Sequence, residues 1–107
     1  MMAWFFLFIA GLLEIVWAFY MKQSNGFTRV VPTMITFITM LGSFGLLSVA
    51  MKTLPLGTAY TVWTGIGAVG AFLVGIMVLG EPMTATRLLA AMLILSGLIL
   101  MKISSSN

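Results

Sequence analysis

Only two carboxylate side chains occur among the 107 residues, Glu14 and Glu81, and their surroundings differ sharply. Glu14 stands between Leu12-Leu13 and Ile15-Val16, eleven positions after Ala3, where an apolar run begins. If that run crosses a membrane, the carboxylate lies near its centre, where a charged side chain costs on the order of 3 kcal/mol on insertion scales. Burial there favours the neutral acid, whereas a cation at the same place favours the carboxylate. A proton and a cation would therefore compete for one group, which is the minimum chemistry of an antiporter. The alternative is a protonated acid that hydrogen-bonds another helix and serves only as packing glue.

On a helix the neighbours of Glu14 three and four positions away are Ala10, Gly11, Trp17 and Ala18, three small residues and one large aromatic. Trp17 offers an indole N–H able to hold the carboxylate and a π-face suited to a planar cation. The plainer reading of Trp17 is an aromatic facing core or lipid. Trp4, a full three turns earlier, suits an interfacial anchor. Tyr60 and Trp63 share a helical face with Gly67 and again combine hydrogen-bond donors with aromatic surface, as the wall of a polar cavity would. Ser43 shares a face with Thr36 and Met40; its hydroxyl either donates to Glu14 or bonds back to its own helix. Glu81, followed by Pro82, Thr84 and Arg87, reads as a structural residue in a helix-starting turn.

The elements that must position these groups follow from composition. The chain is 62% hydrophobic and 7% charged, against roughly a quarter charged in soluble domains. So short and apolar a chain would leave large greasy patches in water. Four segments reach the length and apolarity of a membrane-spanning helix, about 20 residues: 3–21, 30–51, 56–79 and 86–101, within a single four-helix transmembrane domain, 1–107. Polar or helix-breaking clusters separate them, and connections this short force antiparallel neighbours. The start, Met1-Met2-Ala3, lacks the basic residues of a secretory signal, so the first run reads as a permanent span. The end, Ser104 to Asn107, reads as a frayed polar tail.

The net charge is +3, but Lys22, Arg29, Lys52, Arg87 and Lys102 are single and scattered, so no basic stripe tracks nucleic acid. Without cysteine or histidine, disulfides, thiolate chemistry and the usual zinc sites fall away; no metal, cofactor or enzymatic role is expected. Gly65-Ile-Gly-Ala-Val-Gly70 matches the G-x-G-x-x-G spacing of dinucleotide-binding folds, yet no strand precedes it and an apolar helix surrounds it. Gly65 and Gly67 instead offer close helix approach or a hinge at which the helix bends.

The loop charges bear on topology. Lys52 and Lys102 lie on the side of the termini and Lys22, Arg29 and Arg87 on the other, so the Lys/Arg bias that orients membrane proteins nearly vanishes. A chain of this kind could insert both ways. The expectation is an antiparallel homodimer of oppositely inserted copies, against a single orientation resolved from a weak bias; two protomers are also needed to line a pathway.

Three stretches, Gly11-Leu-Leu-Glu14-Ile-Val-Trp17-Ala18, Ser24-Asn-Gly-Phe-Thr-Arg29 and Gly57-Thr-Ala-Tyr60-Thr-Val-Trp63-Thr-Gly-Ile-Gly-Ala-Val-Gly70, resemble the small multidrug resistance transporters, and the resemblance covers essentially the whole chain. In that family the promiscuous exporters usually carry a small residue three positions after the glutamate and threonine at the fourth; Trp17 and Ala18 are similar to the guanidinium-exporter subtype. Thr61 departs from the alanine usual there. The resemblance implies an all-α antiparallel homodimer in the bacterial inner membrane, exchanging guanidinium cations for protons, with Ser43, Trp17, Tyr60 and Trp63 surrounding Glu14. Two other readings compete: a multidrug antiporter of quaternary ammonium or aromatic cations, and a non-transporting membrane subunit that assembles with a partner protein.

Overall fold

The computed structural model describes residues 2–104, and α-helix accounts for nearly all of them: α1 Met2–Gln23, α2 Val30–Ala50, α3 Leu56–Met77 and α4 Ala85–Ser104. Lengths of 20 to 22 residues correspond to roughly 30 to 33 Å of rise, which matches a hydrocarbon core of about 30 Å. Each helix is apolar enough to cross a membrane. The four helices overlap the four expected spans. The largest difference is in α4, which runs three residues beyond position 101. Near that end the Lys102 ammonium lies 4.7 Å above the Trp4 ring of α1, and its aliphatic stem extends the apolar surface. Residues 105–107, the rest of the polar tail, lie outside the described residues.

The turns show how the short connections reverse the chain. After α1, Ser24 is fully buried and bonds in both directions: its hydroxyl donates to the Met21 carbonyl at 2.6 Å and accepts from the Phe27 N–H at 3.0 Å. Asn25, Gly26 and Phe27 then take left-handed backbone angles in succession, a costly conformation for the bulky Phe27. Phe27 is held there by stacking on Phe37 of α2, with 5.5 Å between ring centres. Pro55, with its fixed φ, starts α3. At the α3–α4 turn Gly80 has φ +71°, and Thr84 caps α4 by accepting the Arg87 N–H at 3.2 Å.

The helices lie in the order α2, α1, α3, α4. α1 packs against both α2 and α3, while α2 and α3 barely meet and α4 lines up along α3. The result is a slab, with principal extents of 43 × 34 × 16 Å. Its core consists of Leu7, Ala10, Leu47, Ala50, Leu54, Ala59, Val62 and Trp63. These residues gather at the end of the slab that carries the α2–α3 turn. Along α1 no residue after Gly11 is fully buried, so the half of the protomer that includes Glu14 is only partly closed. α4 has no buried residue. Small residues set the helix spacing: a methyl group on Gly11 would strike Ile66, on Gly65 Leu98, and on Gly70 Ile15.

Candidate functional site

Glu14 projects from the middle of α1 onto α3. Its side chain lies directly against Gly67, where even a Cβ would collide with Cγ, Cδ and Oε1. Glycine is therefore the only residue that leaves room for the carboxylate in this position. Oε1 is shielded, yet it has no hydrogen-bond partner among the described residues. A buried carboxyl oxygen without a donor is costly in any setting and most of all in an apolar one.

A row of aromatic rings runs across α1, α2 and α3. Trp17 meets Phe44 of α2 edge-on at 6.2 Å, Phe44 meets Trp63 of α3 at 5.9 Å, and Trp63 meets Tyr60 at 5.7 Å. Such pairings offer negative ring faces to a cation as well as packing to one another. Phe44 was not among the residues singled out from sequence. It follows Ser43 on a helix rich in apolar side chains, and only the need for a spacer between Trp17 and Trp63 could have drawn attention to it.

Two donors behave differently from the sequence expectation. Ser43 is fully buried, but it donates neither to Glu14 nor to its own helix: its hydroxyl bonds the Ala10 carbonyl of α1 at 2.7 Å. The own-helix bond is the fate of its neighbour Thr36, which donates to the Pro32 carbonyl at 2.8 Å. Ser43 escapes it because α1 passes close by and because Trp63 needs an acceptor. The Trp63 indole N–H donates to the Ser43 oxygen at 3.0 Å. One hydroxyl thus joins α1, α2 and α3, and the carbonyl it binds is the one that receives the Glu14 backbone N–H in a regular helix. Trp17 also departs from expectation. Its indole N–H is buried and has no hydrogen-bond partner among the described residues, so it does not bond the carboxylate.

Tyr60 is half exposed, at 52%, and its ring opens onto a groove between α3 and α4 that Thr61 and Thr64 also line. Gly65 and Gly67 are both buried in helix contacts, and α3 runs through them without a break. Thr61 is exposed, and its hydroxyl makes no hydrogen bond among the described residues. Glu81 is tied to the surface turn: its carboxylate lies 3.5 Å from the Arg87 guanidinium and its backbone N–H donates to the Gly75 carbonyl at 3.0 Å. Among the described residues no cluster of His, Cys, Asp or Glu is arranged to hold a metal.

The Ser43 link carries a direct prediction. Ser43→Ala leaves the Trp63 N–H buried without an acceptor, which costs about 1–3 kcal/mol. Thermal unfolding of the purified protein should shift several degrees downward; an unchanged melting temperature would mean that the three-helix link contributes nothing.

The family model described as Small Multidrug Resistance protein matches residues 2–94. Guanidinium exporters of Citrobacter freundii and Salmonella typhi are each 55% identical over 104 residues, covering 97% of this chain and 99% of the relative. That of Yersinia pseudotuberculosis is 54% identical over 104 residues, covering 97% and 100%. With four helices long and apolar enough to cross a bilayer, this is a multi-pass membrane protein. Matched over most of its length by one family model and over almost all of it by these relatives, the chain belongs to the small multidrug resistance family.

Proposed function

We propose that this protein exports guanidinium and small substituted guanidinium cations in exchange for protons, with Glu14 as the group for which both compete. The observation that carries the reading is the shielded Glu14 oxygen without a donor, seated on Gly67 beside Trp17. Guanidinium is planar and presents its N–H groups as a fork that fits a carboxylate with two parallel bonds, and it lies flat on an aromatic face. Relatives more than half identical that are named guanidinium exporters support the same cargo. The role is transport and not catalysis.

The active unit is an antiparallel homodimer in the bacterial inner membrane. Loop charges of two against three favour insertion both ways. The slab shape supports pairing, since one protomer 16 Å thick encloses no pathway. In the dimer two Glu14 side chains share one chamber and titrate as a pair. Ser43, Trp63, Trp17 and Tyr60 organise that chamber, and Gly65 and Gly67 supply the hinge by which α3 exchanges its two conformations. Because the protomers are equivalent, the exchange converts an inward-open state into an outward-open one of equal energy. Coupling follows if the empty, charged site does not switch.

Proteoliposomes with an acidic interior test the cargo. Guanidinium uptake is expected to run against its own gradient while protons leave, and a quaternary ammonium ion, which has methyl groups in place of N–H donors, is expected to move at least about tenfold more slowly, as the loss of one charged hydrogen bond of ~1.5–3 kcal/mol implies. Faster movement of the quaternary ion would establish the multidrug reading in its place. Insertion is tested separately by single cysteines at exposed Thr53 and Met83, at opposite ends of the slab. A membrane-impermeant thiol reagent should label about half of the copies at each position; labelling of one position alone would reject dual insertion.

A further inference from the structure

Away from Glu14, at the end of the slab opposite the termini, a cavity of about 300 Å³ lies between α1 and α3. Its mouth carries Lys22, Glu81 and Arg87, and its walls include Phe19 and Ala71. Neither the Glu14 chemistry nor the family match gives it a task. We infer that this cavity binds the phosphate headgroup of an anionic phospholipid, with an acyl chain lying in the adjoining groove.

The charges decide against a cation. Two basic side chains and one carboxylate leave the mouth one unit positive. Arg87 is fixed on one side only: its guanidinium lies 3.5 Å from Glu81, donates to the Pro82 carbonyl at 2.5 Å and sits 5.4 Å from the centre of the Phe72 ring. A guanidinium has five N–H donors, so these contacts orient it and leave donors over for an anion. Lys22 is exposed and makes no ion pair among the described residues; its three ammonium protons are available. A phosphate diester carries one negative charge and acceptor oxygens only, which complements the single excess positive charge.

Continuity with apolar surface selects a lipid over a free phosphate ion. Ile15, Phe19 and Val74 line the cavity and also a second groove of about 220 Å³, completed by Val16, Tyr20 and Val78. Through these three shared residues the apolar groove adjoins the charged cavity along α1 and α3, as a chain attached to a headgroup requires. Basic pockets between transmembrane helices near a membrane surface are a recurrent form of lipid recognition.

The test is native mass spectrometry of the purified full-length protein titrated with phosphatidylglycerol and, separately, phosphatidylcholine. Phosphatidylglycerol should be retained preferentially. Lys22→Gln and Arg87→Gln should each weaken its retention about five-fold, the equivalent of ~1 kcal/mol per basic side chain at a membrane surface. Because Arg87→Gln also breaks the contact with Glu81, Ala71→Phe supplies a variant that fills the cavity and leaves every charge in place; it too should lose the lipid. Lys52→Gln, at the other end of the molecule, should retain it. Equal retention of the two lipids, or retention undiminished in Ala71→Phe, would overturn the assignment. So would displacement of phosphatidylglycerol by equimolar inorganic phosphate, which would reveal a site for a free anion.

Discussion

Glu14→Gln is expected to abolish exchange of guanidinium for protons, lowering guanidinium-driven proton flux at least about a hundredfold, the scale set by losing charge-assisted hydrogen bonds of ~1.5–3 kcal/mol each. Glutamine keeps the size and shape of the side chain, so the contact with Gly67 and the packing of α1 on α3 remain. What it removes is the negative charge, and with it both the attraction for a cation and the place where a proton is carried. If Glu14 were only packing glue, the amide would still hydrogen-bond and the variant would behave as wild type. Folding is read independently from thermal unfolding, which should change little. The pH dependence follows from the same competition. In the wild type, acidifying the medium should weaken guanidinium binding, since protons then occupy the carboxylates; in Glu14→Gln the residual binding should be flat with pH.

The second large effect is expected from Gly67→Ala, a change of one methyl group. The added Cβ would occupy the space now held by Glu14 Cγ, Cδ and Oε1. Either α3 moves away from α1 or the carboxylate swings off its seat. Overpacking of this kind costs about 1–3 kcal/mol in a well-packed interior, and a misplacement of ~1 Å at a reacting or binding group lowers rates on the order of a hundredfold. The variant should therefore assemble but transport guanidinium ten to a hundred times more slowly. Gly70→Ala provides the comparison, since its Cβ would meet the side chain of Ile15 instead of the carboxylate. It should lose stability to a similar degree while retaining more of its guanidinium affinity. Equal affinities in the two variants would mean that Gly67 matters for helix spacing alone.

The spans were legible because length and apolarity together leave few alternatives for a chain with 7% charged residues. Glu14 stood out for the same reason, as an exception to its surroundings. The partner of Ser43 was not. Its hydroxyl crosses from α2 to a carbonyl 33 positions away in sequence, and helical periodicity fixes which face a residue occupies without fixing which helix passes there. Phe44 was missed because one more aromatic in an apolar helix carries no local signal; its role emerges only when Trp17 and Trp63 are placed on either side of it. The case of Gly67 is subtler. Its sequence context suggests a small residue for helix approach or bending, but a glycine does not announce what approaches it. Here the group that approaches is the carboxylate itself, a fact about α1 that nothing in the sequence of α3 records. Gly75, buried near the end of α3, repeats the pattern, since a Cβ there would strike Glu81.

Most directly, the claim that guanidinium and protons compete for Glu14 is tested by measuring proton release when guanidinium binds. Isothermal titration of the purified protein in two buffers of different ionisation enthalpy, at a pH where the carboxylates are partly protonated, counts the protons given up per guanidinium bound. The account predicts net release by the wild type and none by Glu14→Gln. Tight guanidinium binding by the wild type with no proton released across the pH range would contradict it.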